Sequence, residues 1–194
     1  MNVTTTGIIL TGGRSTRMGE DKAGVKLGNK TLLAHVIDQL GPQVDRLVIN
    51  SNGDLAGYAQ YHLPVIADSL TGQQGPLAGV HAALTKYPTE YLVTVAVDIP
   101  HLPADLVARL RAGLGTARCA FASNGNHHAL ALLWAPGSLT LLEEYLATGE
   151  RSIKKFLADH GAMVLFDRVG DAGLFYNINT REDLARAESA LTIS

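Results

Sequence analysis

Apolar residues along this chain fall into short runs that alternate, almost from end to end, with stretches of helical spacing. Ile8, Ile9 and Leu10 form a fully apolar run, the pattern of a strand buried on both faces. Val25 and Leu27 alternate around Lys26 and stop at Gly28 and Asn29. Thr31 is placed to cap a helix running to Leu40, because Leu32, Leu33, Val36, Ile37 and Leu40 recur at helical spacing. Gly41 and Pro42 end it. A second core strand is predicted at 47–49, a short helix from Asp54, and a third strand at 64–67. The loop 68–75 leads into a helix over 76–87, and the apolar run 91–97 predicts a fourth buried strand that ends at Asp98. Pro103 suits the start of a helix reaching Leu114. Further strands are predicted at 119–121, 129–134, 163–166 and 175–178, with helices at 138–147 and 152–159. Thr180 and Asp183 open a last helix as a capping box, with Asp in place of Glu. This strand–helix alternation predicts an α/β fold built on a three-layer, doubly wound, mostly parallel sheet.

Bulk properties then exclude several classes. A chain of 194 residues is expected to form one domain, 1–194, with a substantial core. A formal charge of −2 offers no basic surface for nucleic acid. The single cysteine, Cys119, rules out an internal disulfide and a cysteine-based zinc site, and reads as a core residue. No apolar run is long enough to span a membrane and no signal-peptide pattern opens the chain, so a soluble, cytoplasmic protein is expected.

Candidate chemistry gathers where an open α/β sheet binds ligands, at the carboxyl ends of its strands. That rule selects Thr11, Gly12 and Gly13 after the first strand, Asn50 after the second, Asp68 after the third and Asp98 after the fourth. The first loop continues as R-S-T-R-M-G-E-D-K. Its glycines permit a tight turn and close ligand approach, its successive N–H groups form an anion-binding concavity, and Arg14, Arg17 and Lys22 add charge suited to several phosphates. Such a loop is either a nucleoside-triphosphate cradle or a Gly-rich turn with a solvated basic edge. It is not a P-loop, since Arg17 and Met18 stand where the second glycine belongs, and its adjacent glycines do not fit a dinucleotide fingerprint.

Asp98, in V-T-V-A-V-D-I-P, is either a hard oxygen ligand suited to Mg²⁺ or a cap for the following loop. Gly75, Pro76, Leu77, Ala78 and Gly79 open a helix whose N-terminus either favours an anion or is a plain helix start. Asn177 and Asn179, at alternate positions of a strand, either direct two amides at a polar ligand or satisfy loop backbone. Arg151, Lys154 and Lys155 read as contacts to an acceptor phosphate or as a solvated charged face. His127 and His128 are neighbours whose side chains point to opposite faces of a strand, and they read as loop or surface residues. No G-x-S-x-G elbow supports acyl transfer.

The segment L-T-G-G-R-S-T-R-M-G-E-D-K, together with G-P-L-A-G and D-I-P, resembles the molybdenum cofactor guanylyltransferase family of nucleotidyltransferases. That family's loop reads L-A-G-G-x-S-x-R-M-G-x-D-K, and Thr11 stands for its alanine. Val97 replaces the cysteine of its C-D-x-P, and Arg181 replaces the proline of its N-x-N-T-P-E. A proline the family often carries near Ala129 is absent. The likeness spans nearly the whole chain and implies a Rossmann-like nucleotidyltransferase fold. It also implies Mg²⁺-dependent transfer of GMP from GTP to the phosphate of molybdenum–molybdopterin, with release of pyrophosphate. Catalytic roles are implied for Arg17, Lys22 and Asp98, with Asp98 the metal ligand. The implied nucleotide site comprises Leu10, Thr11, Gly12, Gly13, Lys22, Asn50, Asp68, Gly75, Pro76, Leu77, Gly79 and Asp98, and acceptor contacts fall to Asn177 and Asn179. The implied partners are GTP and molybdenum–molybdopterin, with cofactor-insertion or delivery proteins to receive a labile product. Three alternatives stand beside this reading: a cytidylyltransferase using the same pterin, a sugar-1-phosphate nucleotidyltransferase, and a non-catalytic nucleotide-binding module.

Overall fold

The apolar runs assemble side by side into a seven-stranded sheet. The structure is a computed structural model and describes residues 4–12, 22–53, 55–70, 75–88, 90–171 and 173–191. In chain order its regular elements are β1 (Thr5–Leu10), β2 (Lys26–Leu27), β3 (Lys30–Thr31), α1 (Leu32–Leu40), β4 (Arg46–Asn50), β5 (Val65–Ile66), α2 (Pro76–Lys86) and β6 (Tyr91–Ala96). There follow α3 (Leu106–Gly113), β7 (Cys119–Ser123), β8 (His127–Trp134), α4 (Ser138–Ala147), α5 (Ile153–His160), β9 (Gly161–Leu165) and α6 (Arg181–Leu191). The sheet order is β5-β4-β1-β6-β8-β7-β9. Strands β5, β4, β1 and β6 pair in parallel, β8 runs antiparallel to both β6 and β7, and β9 is parallel to β7.

The two-residue period of each strand feeds two separate cores. Ile9, Ile49, Val93 and Leu133 pack on one face beneath α1, α3 and α6. Ile8, Val48, Leu92 and Trp134 pack on the other beneath α2, α4 and α5. Burial on both faces explains why the strands read as continuous apolar runs. The chain winds from β1 through α1 on one face, then from β5 through α2 on the other into β6. That reversal opens a crevice at the carboxyl ends of β1, β4 and β6.

Local expectations are met at two helix starts. The Thr31 hydroxyl accepts from Ala34 N–H at 3.1 Å, and Thr180 and Asp183 exchange two bonds across the start of α6. Elsewhere the elements differ. Pro103 precedes α3 by a turn, in which Leu106 N–H donates to the Pro103 carbonyl at 3.1 Å. Lys26 and Leu27 pair with Thr31 and Lys30 in a separate two-stranded ribbon. Residues 175–178, expected as a strand, join no ladder. They cross the end of β6, held by Phe175 N–H to the His101 carbonyl and Ile178 N–H to the Asp98 carbonyl, both at 2.9 Å. Phe175 takes a positive φ of 60° to make that crossing. The apolar alternation there signals burial of Phe175 and Ile178, and periodicity cannot tell burial beneath a crossing segment from burial in a sheet. No helix among the described residues is long and apolar enough to cross a membrane.

Candidate functional site

Two polar clusters stand at the carboxyl end of the sheet. The first joins β1, β4 and β5. Thr11 leaves β1 buried, its N–H donating to the Asn50 carbonyl at 3.1 Å and its hydroxyl to the same oxygen at 2.8 Å. The Tyr58 hydroxyl lies 3.1 Å from Thr11 Oγ1 and 3.1 Å from Ser51 Oγ. The buried Asn50 amide donates to the Ile66 carbonyl at 3.2 Å and to Asp68 Oδ1 at 2.9 Å. Asn52 donates to Asp68 Oδ2 at 2.7 Å and accepts from Asp68 N–H at 2.9 Å. Asp68 is therefore a half-buried carboxylate aimed by two asparagines, one on each oxygen.

Helix α2 begins beside this cluster. Gly75 is exposed, with φ 65° and ψ −161°, a conformation only glycine adopts easily, and Pro76 follows in the first turn. Gly79 differs from Gly75. A Cβ added there would stand 2.3 Å from Asn50 Oδ1 and 3.0 Å from Leu10 Cδ2. The group in close approach at Gly79 is the protein's own Asn50, so this glycine lets α2 rest on the strand ends. Leu10 and Leu77 bury their side chains in the core; the Leu10 carbonyl is taken by Val97 N–H at 3.1 Å, whereas Leu77 lies in the first turn of α2, where main-chain N–H groups have no helical partner.

The second cluster lies at the end of β6. Lys22 Nζ donates to Asp98 Oδ2 at 3.0 Å and to Asn179 Oδ1 at 2.7 Å. Lys22 and Asp98 are mostly enclosed, with side chains 16% and 22% exposed. The crossing segment supplies Asn179, and Asp183 fixes its course by accepting from the backbone N–H groups of Asn179 at 3.0 Å and Thr180 at 2.9 Å. Those donors, led by the Asn179 N–H and joined by Arg186, hold the Asp183 carboxyl well below the usual carboxylate range. Asn177 is exposed on the same segment. Gly13, Arg14 and Arg17 lie outside the described residues.

Several contributors leave no local trace in the sequence. Arg109 reaches from α3 to grip Asp171 through both guanidinium nitrogens at 3.0–3.1 Å, donates to the Leu165 carbonyl at 2.8 Å, and lies 3.8 Å over the Phe166 ring. This clip anchors the chain upstream of Asn179. His128 is buried rather than a loop or surface residue. It stacks on Phe175 at 4.6 Å, and its Nε2 lies 2.7 Å from Asn124 Oδ1. The crossing segment covers it, so burial first, and the neighbouring His127 second, push the His128 imidazole below its ordinary value. His127 is exposed on the opposite face, 5.3 Å from the Phe121 ring. Asn52 and Tyr58 had no signal beyond a turn and a short helix. Cys119 is fully buried, and burial pushes its thiol up to about 12. Arg151 donates to the carbonyls of Leu146 and Glu150 at 2.8 and 2.7 Å.

The described residues hold no group of three or more His, Cys, Asp or Glu side chains placed to bind a metal. A divalent cation at Asp98 would therefore complete its shell with water and substrate oxygens, as hard Mg²⁺-type ions do.

Residues 7–164 match the MobA-like NTP transferase domain. The chain is 43% identical over 181 residues to the molybdenum cofactor guanylyltransferase of Yersinia pestis (strain Pestoides F), covering 92% of both chains. It is 42% identical over 185 residues to the molybdenum cofactor guanylyltransferase of Serratia proteamaculans (strain 568), covering 93% of this chain and 92% of that one. The crystal structure of molybdopterin-guanine dinucleotide biosynthesis protein A from Archaeoglobus fulgidus superposes with a TM-score of 0.79 at 26% identity, across 97% of this chain and 100% of that one.

Proposed function

The chain belongs to the MobA-like NTP transferase family, and from that premise and the two clusters we infer its reaction and the residues that carry it. It is a nucleotidyltransferase that transfers GMP from GTP in the synthesis of molybdopterin guanine dinucleotide. A phosphate oxygen of the molybdopterin acceptor forms the new bond to the α-phosphorus of GTP. The bond from that phosphorus to the bridging oxygen breaks, and the electron pair leaves with pyrophosphate. A phosphate is already an anionic nucleophile, so no strong base is required, and the protein's part is positioning and charge neutralisation.

The convergence of Lys22, Asp98 and Asn179 at the end of β6 carries the assignment of roles. Lys22 offers the ammonium that faces the triphosphate. Gly12, with Gly75 and Leu77 at the start of α2, supplies main-chain N–H groups for its oxygens. Gly13 and Arg17 follow Gly12 in the sequence and are assigned to the triphosphate from the motif they share with the family. Asp68, held on both oxygens by asparagine amides, accepts from the N–H donors of guanine. Asp98 is the residue that would hold Mg²⁺, which when bound supplies positive charge to the triphosphate. Asn177 and Asn179 face the acceptor side.

Lys22→Ala tests this reading. GMP transfer from GTP should fall roughly 10²-fold, the usual cost of deleting one preorganised charge-stabilising donor, while the circular-dichroism melt stays that of the parent. Turnover within threefold of the parent would remove Lys22 from the reaction.

A further inference from the structure

Choosing the base is a separate task from transferring the nucleotide, and the turn after β4 carries groups suited to it. Asn50 ends β4, Asn52 lies two residues on, and both side chains reach Asp68, two residues beyond β5. The Asn50 amide donates to Oδ1 at 2.9 Å and the Asn52 amide to Oδ2 at 2.7 Å. A carboxylate turns easily about its last side-chain bond, and an amide on one oxygen leaves the other free to swing. Two amides, one on each oxygen, fix the plane of the group.

The frame around the carboxylate is fixed in turn. Asn52 Oδ1 accepts from the Asp68 N–H at 2.9 Å, so both ends of the Asn52 amide are committed to one residue. Ser51, between the two asparagines, donates its N–H to the Ile66 carbonyl at 3.0 Å. Its hydroxyl donates to the Tyr58 hydroxyl and accepts from Gly53 N–H, both at 3.1 Å. On the other side of Asp68, Ser69 Oγ lies 2.6 Å from His81 Nδ1 on α2. The main chain near Asp68 is thus tied to the β4 turn and, one residue on, to α2, which leaves the carboxylate plane as the freedom that the asparagines remove. Asn50 is buried and also holds the Ile66 carbonyl. Asn52 is exposed, and both its side-chain bonds go to residue 68.

An ionised carboxylate has about four acceptor sites, two on each oxygen. With one site on each oxygen filled from within the chain, one on each is left, a pair of acceptors in a fixed plane. Guanine presents two adjacent donors to such a pair, N1–H and its N2 amino group. Cytosine sets its N4 amino donor beside the N3 lone pair, which a carboxylate oxygen repels. Hypoxanthine keeps N1–H and lacks the amino group.

We propose that Asn52 is the base-selecting positioning residue of this site. By holding the second oxygen of Asp68 it makes the carboxylate a two-pronged acceptor that reads guanine against cytosine and hypoxanthine. The inference rests on the guanylyl-transfer reading, in which Asp68 meets the base, and Asn52 acts through Asp68 alone.

The test is calorimetric binding of GTP, ITP and CTP to the full chain with Mg²⁺. The parent should bind GTP about tenfold or more tightly than ITP, because a site built to hydrogen-bond an N–H rejects the analogue that lacks it, and CTP more weakly still. In Asn52→Ala, GTP binding should fall about tenfold and ITP binding by less than about threefold, since Asn50 still holds one oxygen for N1–H. Asn52→Asp keeps the size of the side chain and its acceptor for the Asp68 N–H but loses the donor, and it should lose the preference for GTP over ITP as well. In an Asp68→Asn background, Asn52→Ala should change either affinity by no more than about twofold, because the residue it acts through is gone. An undiminished preference in Asn52→Ala overturns the assignment, and so do equal losses for GTP and ITP, which mark general damage to the site. A parent that binds ITP as tightly as GTP also overturns it. A parent that prefers CTP, or binds none of the three, removes the guanylyl-transfer reading and the inference with it, and the titrations of the parent alone show that outcome.

Discussion

At position 79 the lack of a side chain is a packing requirement that reaches the Asn50–Asp68 cluster. The Asn50 amide stands where a Cβ would be, and it cannot swing away freely because it already donates to the Ile66 carbonyl and to Asp68. Gly79→Ala must therefore push α2 off the strand ends or break Asn50 from Asp68. The expected cost is about 1–3 kcal/mol, as for overpacking a filled core, read as a lower urea midpoint. A higher KM for GTP should accompany it, because Asp68 loses one of its two amide partners. A variant with the parent's midpoint and GTP affinity would mean that Asn50 gives way without consequence.

At the scale of an element, the segment from β9 to α6 behaves as a strap across the crevice. Its fixed points are Asp171 in the Arg109 clip, Phe175 on the His101 carbonyl, Ile178 on the Asp98 carbonyl, and Asn179 and Thr180 on Asp183. The pairing with Arg109 holds the Asp171 carboxyl below its ordinary value of 3.8. A depressed folded value means that the clip contributes fully above that ordinary value and loses its contribution as pH falls through the folded one. Asp171→Asn should thus lower stability by the same amount at pH 7 and pH 5, and the gap to the parent should close only below about pH 3.8. Urea unfolding at several pH values checks this, and a gap that closes between pH 7 and 5 would assign the effect to another group. The same variant should lower the turnover of GMP transfer severalfold, since Asn179 is placed through this strap.

Across the whole molecule, the reversed direction of β8 brings two histidines to the carboxyl end of the sheet and hides one of them. The His128 imidazole is pushed down by burial and then by His127, and that of His101, on the loop after β6, by burial and then by His35. Both have folded values below the ordinary 6.5. The unfolded chain therefore binds more protons than the folded one as pH falls through that value, and stability falls with it. Thermal melts should hold steady between pH 8 and 7 and drop as the pH goes through about 6.5 towards 5. His128→Gln should make that drop smaller. An unchanged drop would place the acid sensitivity elsewhere.

The sequence alone determined the alternation of strands and helices, because burial on both faces writes an apolar run into 8–10 and an almost wholly apolar one into 91–96, and helical spacing is written into the residues of α1. It also picked out the polar residues at the strand ends, since Thr11, Asn50, Asp68 and Asp98 each follow an apolar run, and an open α/β sheet meets its ligands at that edge. Only the tertiary structure decided who meets whom. Lys22 and Asn179 are 157 positions apart, Arg109 and Asp171 are 62 apart, and no local period links them. The path of residues 175–178 over β6 and the burial of His128 beneath them were likewise settled by packing. Periodicity reports which face of an element is apolar, whereas contacts between distant elements depend on the order and direction in which the strands are laid down.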